Sequence, residues 1–214
     1  MTRTDTPSED LAARVAARVC HDIMSPVSAI KAGFSFLGDT ETPGSRAEAR
    51  DVIGAGLRGL EERMALYRLA LGRGETPQAT DVLGTLAAAQ FADLRPSLDW
   101  SVTSPSLPGT AARAALHMVI ILGESLASGG EARISTEATG GAIVLTGRAM
   151  GPRVRLHPEA RDGLLGHPCP EGPGGRWAFA AFLRAQVDSA GGEIAVDATD
   201  EGVSVVVIVP HSQS

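Results

Sequence analysis

Two long apolar stripes at helical spacing, in the first third of the chain, constrain the fold more than any other feature of this sequence. The first recurs every three or four positions and consists of Val15, Val19, Ile23, Val27, Ile30, Phe34 and Leu37. The second alternates spacings of four and three and consists of Ile53, Leu57, Leu60, Met64, Tyr67 and Leu71. This periodicity predicts two amphipathic helices, the second with a coiled-coil-like seam.

Start and stop signals set the limits of these helices. The run TPSE, residues 6–9, offers a hydroxyl, a proline at the first helical position and a glutamate at N3. The helix is expected to continue to Gly38, where the loop GDTETPGS begins. Ser45 and Glu48 form a second capping box. Two long helices on a short loop form an antiparallel hairpin.

A lone hairpin of this kind leaves much of its apolar surface in water. Pairing two copies into a dimeric four-helix bundle buries that surface. We therefore predict a homodimer that is held together by the hairpin.

After the hairpin, segments with alternating β-branched residues, typical of strands, appear between helical segments. We predict two domains, a helical hairpin over residues 1–76 and an α/β domain over residues 77–214. Helices are predicted over 81–95, 108–127 and 177–190, and strands over 98–104, 131–138, 141–149, 192–198 and 202–210. The fold class is α+β, with an α/β sandwich whose helices cover one face of a mixed sheet.

Composition excludes several classes of partner. The net charge of −6 gives no global positive field for nucleic acid or an anionic membrane. The N-terminus lacks the apolar core of a signal peptide, and apolar runs such as VSVVVIVP are too short to span a bilayer. Cys20 and Cys169 show neither metal-type spacing nor a disulfide framework. We expect a cytoplasmic protein without nucleic-acid or membrane partners.

His21 is the candidate reactive residue. At about 100° per residue, the first apolar stripe lies roughly 160° to 240° from His21, so the imidazole faces solvent. A neutral imidazole has a ring nitrogen that can attack phosphorus. Asp22 can orient the ring or take its proton, while Arg14 and Arg18 can offset phosphoryl charge.

Pro26 lies within the same predicted helix. Proline inside a helix removes one backbone hydrogen bond and costs about 3 kcal/mol. We expect it to bend the helix and loosen the turn that carries His21, and we do not expect packing to be its purpose.

The run HDIMSPVSAI resembles the phosphoacceptor box of histidine kinases, in which an acid and a proline follow the histidine. The runs ARVCHDIMSPVSAIKAGFSFL, LRPSLDW, GPRVRLHPE and AGGEIAV occur in the same order as in the ChpT-type histidine phosphotransferases of alphaproteobacteria. This resemblance extends over nearly the whole chain. It implies that His21 is phosphorylated and that Asp22 is its acidic neighbour.

The resemblance also implies that the second domain is a degenerate histidine-kinase ATPase (Bergerat/GHKL) domain. Such domains bind ATP through paired asparagines, a D-x-G-x-G turn and a glycine-rich lid. Here Ile121 and Ser125 stand where the asparagines belong, and the sequence contains no asparagine. The turn GRAMGPR offers only Arg148 and Gly151, and the glycines of EGPGGRW resemble loop punctuation. We expect no bound ATP and no autokinase activity.

These observations predict a phosphorelay, in which His21 takes a phosphoryl group from one receiver aspartate and passes it to another. The resemblance implies the receiver domain of a hybrid histidine kinase upstream and response regulators downstream. This chain is expected to bind no cofactor or metal, since Mg²⁺ arrives with the acidic pocket of the receiver. Docking is expected around His21, on Ile23, Met24, Val27 and Met64.

Two other functions stay open. Asp22 and Ser25 have an acid-x-x-hydroxyl spacing that could place water on a receiver's phospho-aspartate, which predicts a phosphatase. A dimeric adaptor that only binds receivers is the other. A metal site at Cys20 and His21 is disfavoured, because neighbouring helical residues point about 100° apart. His117, in an apolar helix, is expected to be structural.

Overall fold

The computed structural model describes residues 7–39, 42–92, 94–172 and 174–211. Its first part is a hairpin of α1 (Pro7–Asp39) and α2 (Pro43–Ala70), which pack along each other. Gly33 lies against Ile53 and Gly56 lies against Ile30, so the two helices run antiparallel. The predicted hairpin is therefore confirmed.

The start of α2 differs from the prediction. The helix begins at Pro43, and Thr42 caps it by accepting a hydrogen bond from the Ser45 amide at 3.3 Å. The predicted capping box at Ser45 lay three residues too late, because proline at the first helical position suits a start at Pro43. Thr6, the predicted cap of α1, lies outside the described residues.

The face of α1 that packs on α2 contains only part of the predicted apolar stripe, including Ile30. Pro26 and Gly33 are buried there, whereas Phe34 is 62% exposed. A Cβ atom added at Gly56 would lie 3.1 Å from the Pro26 carbonyl oxygen and 2.7 Å from Ile30 Cγ1. The helices approach through small side chains, which an apolar pattern does not reveal. Pro26 is therefore part of the packing, and our contrary expectation was wrong.

The rest of the chain contains a five-stranded mixed sheet with helices. The elements are β1 (Gln78–Ala79), α3 (Thr80–Ala92), β2 (Ser97–Ser101), β3 (Ser106–Leu107), α4 (Gly109–Ser125), β4 (Glu131–Thr139), β5 (Ala142–Met150), α5 (Pro158–Leu165), α6 (Gly175–Ser189), β6 (Glu193–Ala198) and β7 (Val203–Pro210). The strand order is β2-β4-β5-β7-β6, with β2 and β4 parallel and the other pairs antiparallel. A short antiparallel pair, β1 and β3, lies apart. The predicted α/β sandwich is confirmed, while its boundary at residues 76 and 77 stays a prediction.

Two apolar clusters hold the molecule together. The larger lies between the sheet and α3, α4 and α6, and includes nearly all the apolar side chains of α4. The smaller joins the hairpin to α4 and α6 through Val15, Leu66, Tyr67, Ile120, Ala178 and Phe179. This junction fixes the C-terminal domain beside the N-terminal half of α1.

His117 lies in the same region. It is fully buried, and its Nε2 lies 3.1 Å from the Ala70 carbonyl oxygen at the end of α2. Gln186 Nε2 donates to the same oxygen at 3.3 Å. His117 therefore links α4 to the hairpin, in keeping with a structural role.

No helix within the described part of the chain has both the length and the hydropathy needed to cross a membrane.

Candidate functional site

His21 and Asp22 are neighbours in α1 with opposite environments. The His21 side chain is 84% exposed, whereas that of Asp22 is only 10% exposed. Successive helical residues point about 100° apart, which is enough to put one in solvent and the other between the helices. The two side chains still touch, because His21 Nδ1 lies 3.1 Å from Asp22 Oδ1.

The Asp22 carboxylate is held by donors from two helices. Its Oδ2 accepts from Arg18 Nε at 2.8 Å, one turn earlier in α1, and from the Tyr67 hydroxyl of α2 at 2.6 Å. Arg63 Nη1, also from α2, donates to the Asp22 backbone oxygen at 3.3 Å. With Oδ2 occupied twice, Oδ1 is the oxygen left for the imidazole.

Charges in this cluster follow from its contacts. Burial alone would raise the pKa of Asp22, but hydrogen bonds from Tyr67, Arg18 and His21 outweigh burial and hold that pKa below its usual range. Burial and the Asp22 carboxylate together raise the pKa of Tyr67, so its hydroxyl stays protonated and donates. Asp22 is therefore ionised at neutral pH, and His21 Nδ1–H donates to it. The lone pair of His21 Nε2 then faces solvent.

The sequence predicted that Arg14 and Arg18 lie open beside His21, and the structure contradicts this prediction. Arg14 pairs with Asp10 at 2.8 Å and donates to the Gly172 carbonyl oxygen at 3.1 Å. Arg18 is mostly buried, and its guanidinium contacts both Asp22 and Glu124 of α4. Each arginine therefore has a carboxylate partner one turn away in α1, and the C-terminal domain adds the Gly172 carbonyl to Arg14 and Glu124 to Arg18.

The remaining predicted site residues near His21 in the sequence differ in their exposure. Met24, Ser25 and Val27 are exposed, Ile23 is half-buried and Pro26 is buried. Met64 of α2, predicted for docking, is also exposed. Ser25 is thus accessible, while the carboxylate of Asp22 points inward and is occupied by three donors.

At the positions where histidine kinases carry nucleotide-binding residues, the side chains of this chain are engaged in contacts within its own fold. Ile121 and Ser125 are buried on α4, and Ser125 Oγ donates to the Ile121 carbonyl oxygen at 2.8 Å. Arg148 lies within β5, which extends to Met150, so most of the predicted GRAMGPR turn is strand.

Two glycines of EGPGGRW lie where the start of α6 approaches α1. A Cβ atom at Gly174 would lie 2.9 Å from Arg14 Nη1, and one at Gly175 would lie 3.2 Å from Arg18 Cδ. Their lack of a side chain lets the start of α6 lie against α1. This close approach corrects our interpretation of these glycines.

Sequence reasoning missed several residues of the cluster. Tyr67 was counted as an apolar seam position, and Glu124 was not singled out. Both contacts are long-range, with 45 residues between Tyr67 and Asp22 and 106 between Glu124 and Arg18. The available signal for these partners was Asp22 itself, because a buried carboxylate needs hydrogen-bond donors. Within the described residues, no group of three or more His, Cys, Asp or Glu side chains is arranged to hold a metal ion.

Comparison with known proteins agrees with this architecture. The family described as "Histidine phosphotransferase C-terminal domain" matches residues 80–202. Protein phosphotransferase ChpT of Brucella abortus (strain 2308) is 26% identical over 200 residues, which are 91% of this chain and 93% of the relative.

Solved structures share the fold. A bacterial phosphotransferase superposes with a TM-score of 0.81 at 24% identity, over 97% of this chain and 98% of that chain. Full-length ShkA in complex with AMPPNP gives a TM-score of 0.51 at 15% identity, over 96% of this chain and 46% of that chain. Because the family match covers more than half of the chain, this chain belongs to the histidine phosphotransferase family, and it is of the ChpT type.

Proposed function

We propose that this chain relays phosphoryl groups between receiver-domain aspartates through a phosphohistidine at His21. One observation carries the proposal: the exposed imidazole donates through Nδ1 to a buried, ionised carboxylate, which leaves Nε2 open to a partner. The same contact selects the ring tautomer and fixes the ring's orientation.

The transfer step is an in-line exchange at phosphorus. The Nε2 lone pair attacks the phosphorus of a receiver phospho-aspartate, the N–P bond forms, and the aspartyl P–O bond breaks. The departing electron pair stays on the receiver carboxylate, and Nδ1 keeps its proton. The ring thereby gains positive charge, which the Asp22 carboxylate stabilises at 3.1 Å. A second receiver carboxylate reverses these events and returns the pair to Nε2.

The partners follow from this chemistry. We propose the receiver domain of a hybrid histidine kinase as donor and response-regulator receivers as acceptors, with Mg²⁺ supplied by their acidic pockets. Exposed Met24, Val27 and Met64 offer the docking contacts beside His21. No nucleotide is needed, because the phosphoryl group arrives already activated. Both cysteines are free, which suits a protein that transfers phosphoryl groups in the reducing cytoplasm.

The working form that we propose is a homodimer. Several large apolar side chains of the hairpin outside the docking contacts are exposed on the single chain: Phe34, Val52 and Leu57. A second hairpin packed against them would complete a four-helix bundle.

A relay assay separates this function from the two alternatives. The chain is mixed with a receiver phosphorylated on aspartate and with a second, unphosphorylated receiver. His21→Gln is expected to abolish label on the second receiver, whereas His157→Gln, an exposed control, leaves transfer unchanged. Receiver dephosphorylation that survives in His21→Gln would favour the phosphatase. Label that never leaves the first receiver even with the wild-type chain would favour the adaptor. Either result contradicts the proposal.

A further inference from the structure

We infer that Glu124, Arg18 and Tyr67 are positioning residues for His21, and that they act through Asp22. The C-terminal domain would then set the tautomer and orientation of the reactive imidazole. This inference rests on the proposed function in one respect, that His21 is the phosphoryl acceptor.

The first step is the orientation of the Asp22 carboxylate. Arg18 and Tyr67 come from different helices, and both donate to Oδ2, at 2.8 and 2.6 Å. Two fixed donors on one oxygen hold the carboxylate plane and leave Oδ1 directed at His21 Nδ1. If either donor is lost, the carboxylate can turn away from the ring.

The second step is the support of Arg18 by the C-terminal domain. Its Nη2 donates to Glu124 Oε1 on α4, and its guanidinium lies 5.4 Å from the centre of the Phe179 ring on α6. Arg176 Nε, also on α6, lies 3.5 Å from Glu124 Oε2 and holds that carboxylate from the other side. Gly175 leaves the room that the Arg18 side chain occupies.

The resulting chain of contacts runs from α4 to the solvent-exposed imidazole. Its charges alternate in the order Glu124, Arg18 and Asp22, and it ends at the ring that becomes positive on phosphorylation. Because Arg18 and Asp22 are largely buried, their interaction is weakly screened by water. A change at Glu124 should therefore reach His21, although Glu124 lies on another domain and its contacts are with Arg18 and Arg176.

The test measures the tautomer of His21 directly in the unphosphorylated full-length chain. Nitrogen-15 NMR of histidine side chains distinguishes a protonated Nδ1 from a protonated Nε2, and His21→Gln identifies the His21 signals. Wild type is expected to show the Nδ1–H tautomer. Glu124→Gln is expected to shift the tautomer ratio by about threefold or more towards Nε2–H, the size expected for a lost hydrogen-bond contribution. Glu137→Gln, an exposed change of the same charge on β4, is the control and should match wild type.

Two further variants separate positioning from simple structural support. Tyr67→Phe removes the other Oδ2 donor without removing the ring, and it should shift the ratio in the same direction. In the Asp22→Asn background, Glu124→Gln should add no further shift, because the effect passes through Asp22. A wild-type ratio in folded Glu124→Gln would overturn the role of the C-terminal domain, and a wild-type ratio in Tyr67→Phe would overturn the positioning of the ring through Asp22. Should Glu124→Gln fail to fold, a wild-type ratio in Tyr67→Phe alone would overturn the inference. Because no phosphoryl group is used, failure here is distinct from failure of the relay.

Discussion

At the scale of single residues, the proposed mechanism depends on the contact between His21 Nδ1 and Asp22 Oδ1. Asp22→Asn keeps the shape of the side chain but removes the charge that stabilises the phosphorylated ring. We expect phosphoryl transfer to slow by about 10- to 100-fold, the factor given by a charge-assisted hydrogen bond of about 1.5–3 kcal/mol. Rapid-quench transfer from a phosphorylated receiver measures this rate. Asp51→Asn, exposed on α2, is the control, and an unchanged rate in Asp22→Asn would contradict the assigned role.

The burial of His117 predicts how the stability of the fold depends on pH. Burial lowers the pKa of His117 to about 4, from 6.5 in the unfolded chain. Between these values the unfolded chain binds the proton and the folded chain does not, so stability falls as the pH falls from about 6.5 to 4. The loss between pH 7 and pH 5 should be on the order of 2 kcal/mol.

Urea unfolding at the two pH values checks this prediction. In His117→Gln the amide can still donate to the Ala70 oxygen but cannot titrate, so most of this pH-dependent loss should disappear. His157→Gln, at an exposed position, should keep the loss. An equal loss in His117→Gln would show that other groups cause it.

Only the local part of the site could be predicted from the sequence at this scale. His21 and Asp22 are adjacent, so helical geometry alone places both. The donors to Asp22 come from distant positions, and nothing near Tyr67 or Glu124 shows that the fold brings them to Arg18 and Asp22. For the same reason Arg18 was predicted to be open, whereas the C-terminal domain covers it.

At the scale of elements, close packing of α1 on α2 depends on glycine. Gly56→Ala adds a Cβ atom 2.7 Å from Ile30 Cγ1 and close to the backbone of Pro26, which cannot easily shift. We expect it to lower the free energy of unfolding by about 1–3 kcal/mol, the usual cost of overpacking. Gly59→Ala, in the same helix, has no heavy atom within 4 Å of the added Cβ and should raise it by up to about 1 kcal/mol. Chemical denaturation distinguishes them, and equal effects would contradict the proposed close contact.

The elements themselves were largely predictable, because helical and alternating periodicities are local properties. Both long helices and the five strands of the main sheet occur near their predicted positions. The helix α5 was missed within a Pro/Gly-rich stretch, although Pro158 at its first turn and Gly166 with a φ of 75° just after it are start and stop signals. The contact face of α1 was predicted only in part, because Gly33 and Pro26 contribute to it beside Ile30, whereas Val27 and Phe34 of the predicted stripe are exposed.

At the scale of the whole molecule, the exposed apolar face of the hairpin predicts the oligomeric state. Phe34→Glu places a charge on that face and should turn the dimer into a monomer. Val82→Glu, at another exposed apolar position on α3, should leave the dimer intact. Light scattering coupled to size-exclusion chromatography measures the mass of each. A wild-type monomer, or a dimer that survives Phe34→Glu, would contradict the proposed bundle.

The sequences of the two domains do not show how the C-terminal domain packs on the hairpin. Composition and missing asparagines predicted a C-terminal domain without the usual nucleotide ligands, but they did not indicate what it contacts. In the structure its helices α4 and α6 meet the hairpin at Tyr67 and Phe179, and Tyr67 also contacts Asp22, the neighbour of His21. That packing depends on the assembled fold, so no local pattern could reveal it.

The most direct measurement is to locate the phosphoryl group after the chain has reacted with a phosphorylated receiver. Phosphorus and nitrogen NMR of the labelled protein identify both the residue and the ring nitrogen that carry it. We predict one phosphoryl group on Nε2 of His21, with Nδ1 still protonated towards Asp22. A chain that takes up no phosphoryl group, or that carries it on another residue or on Nδ1, would contradict the mechanism.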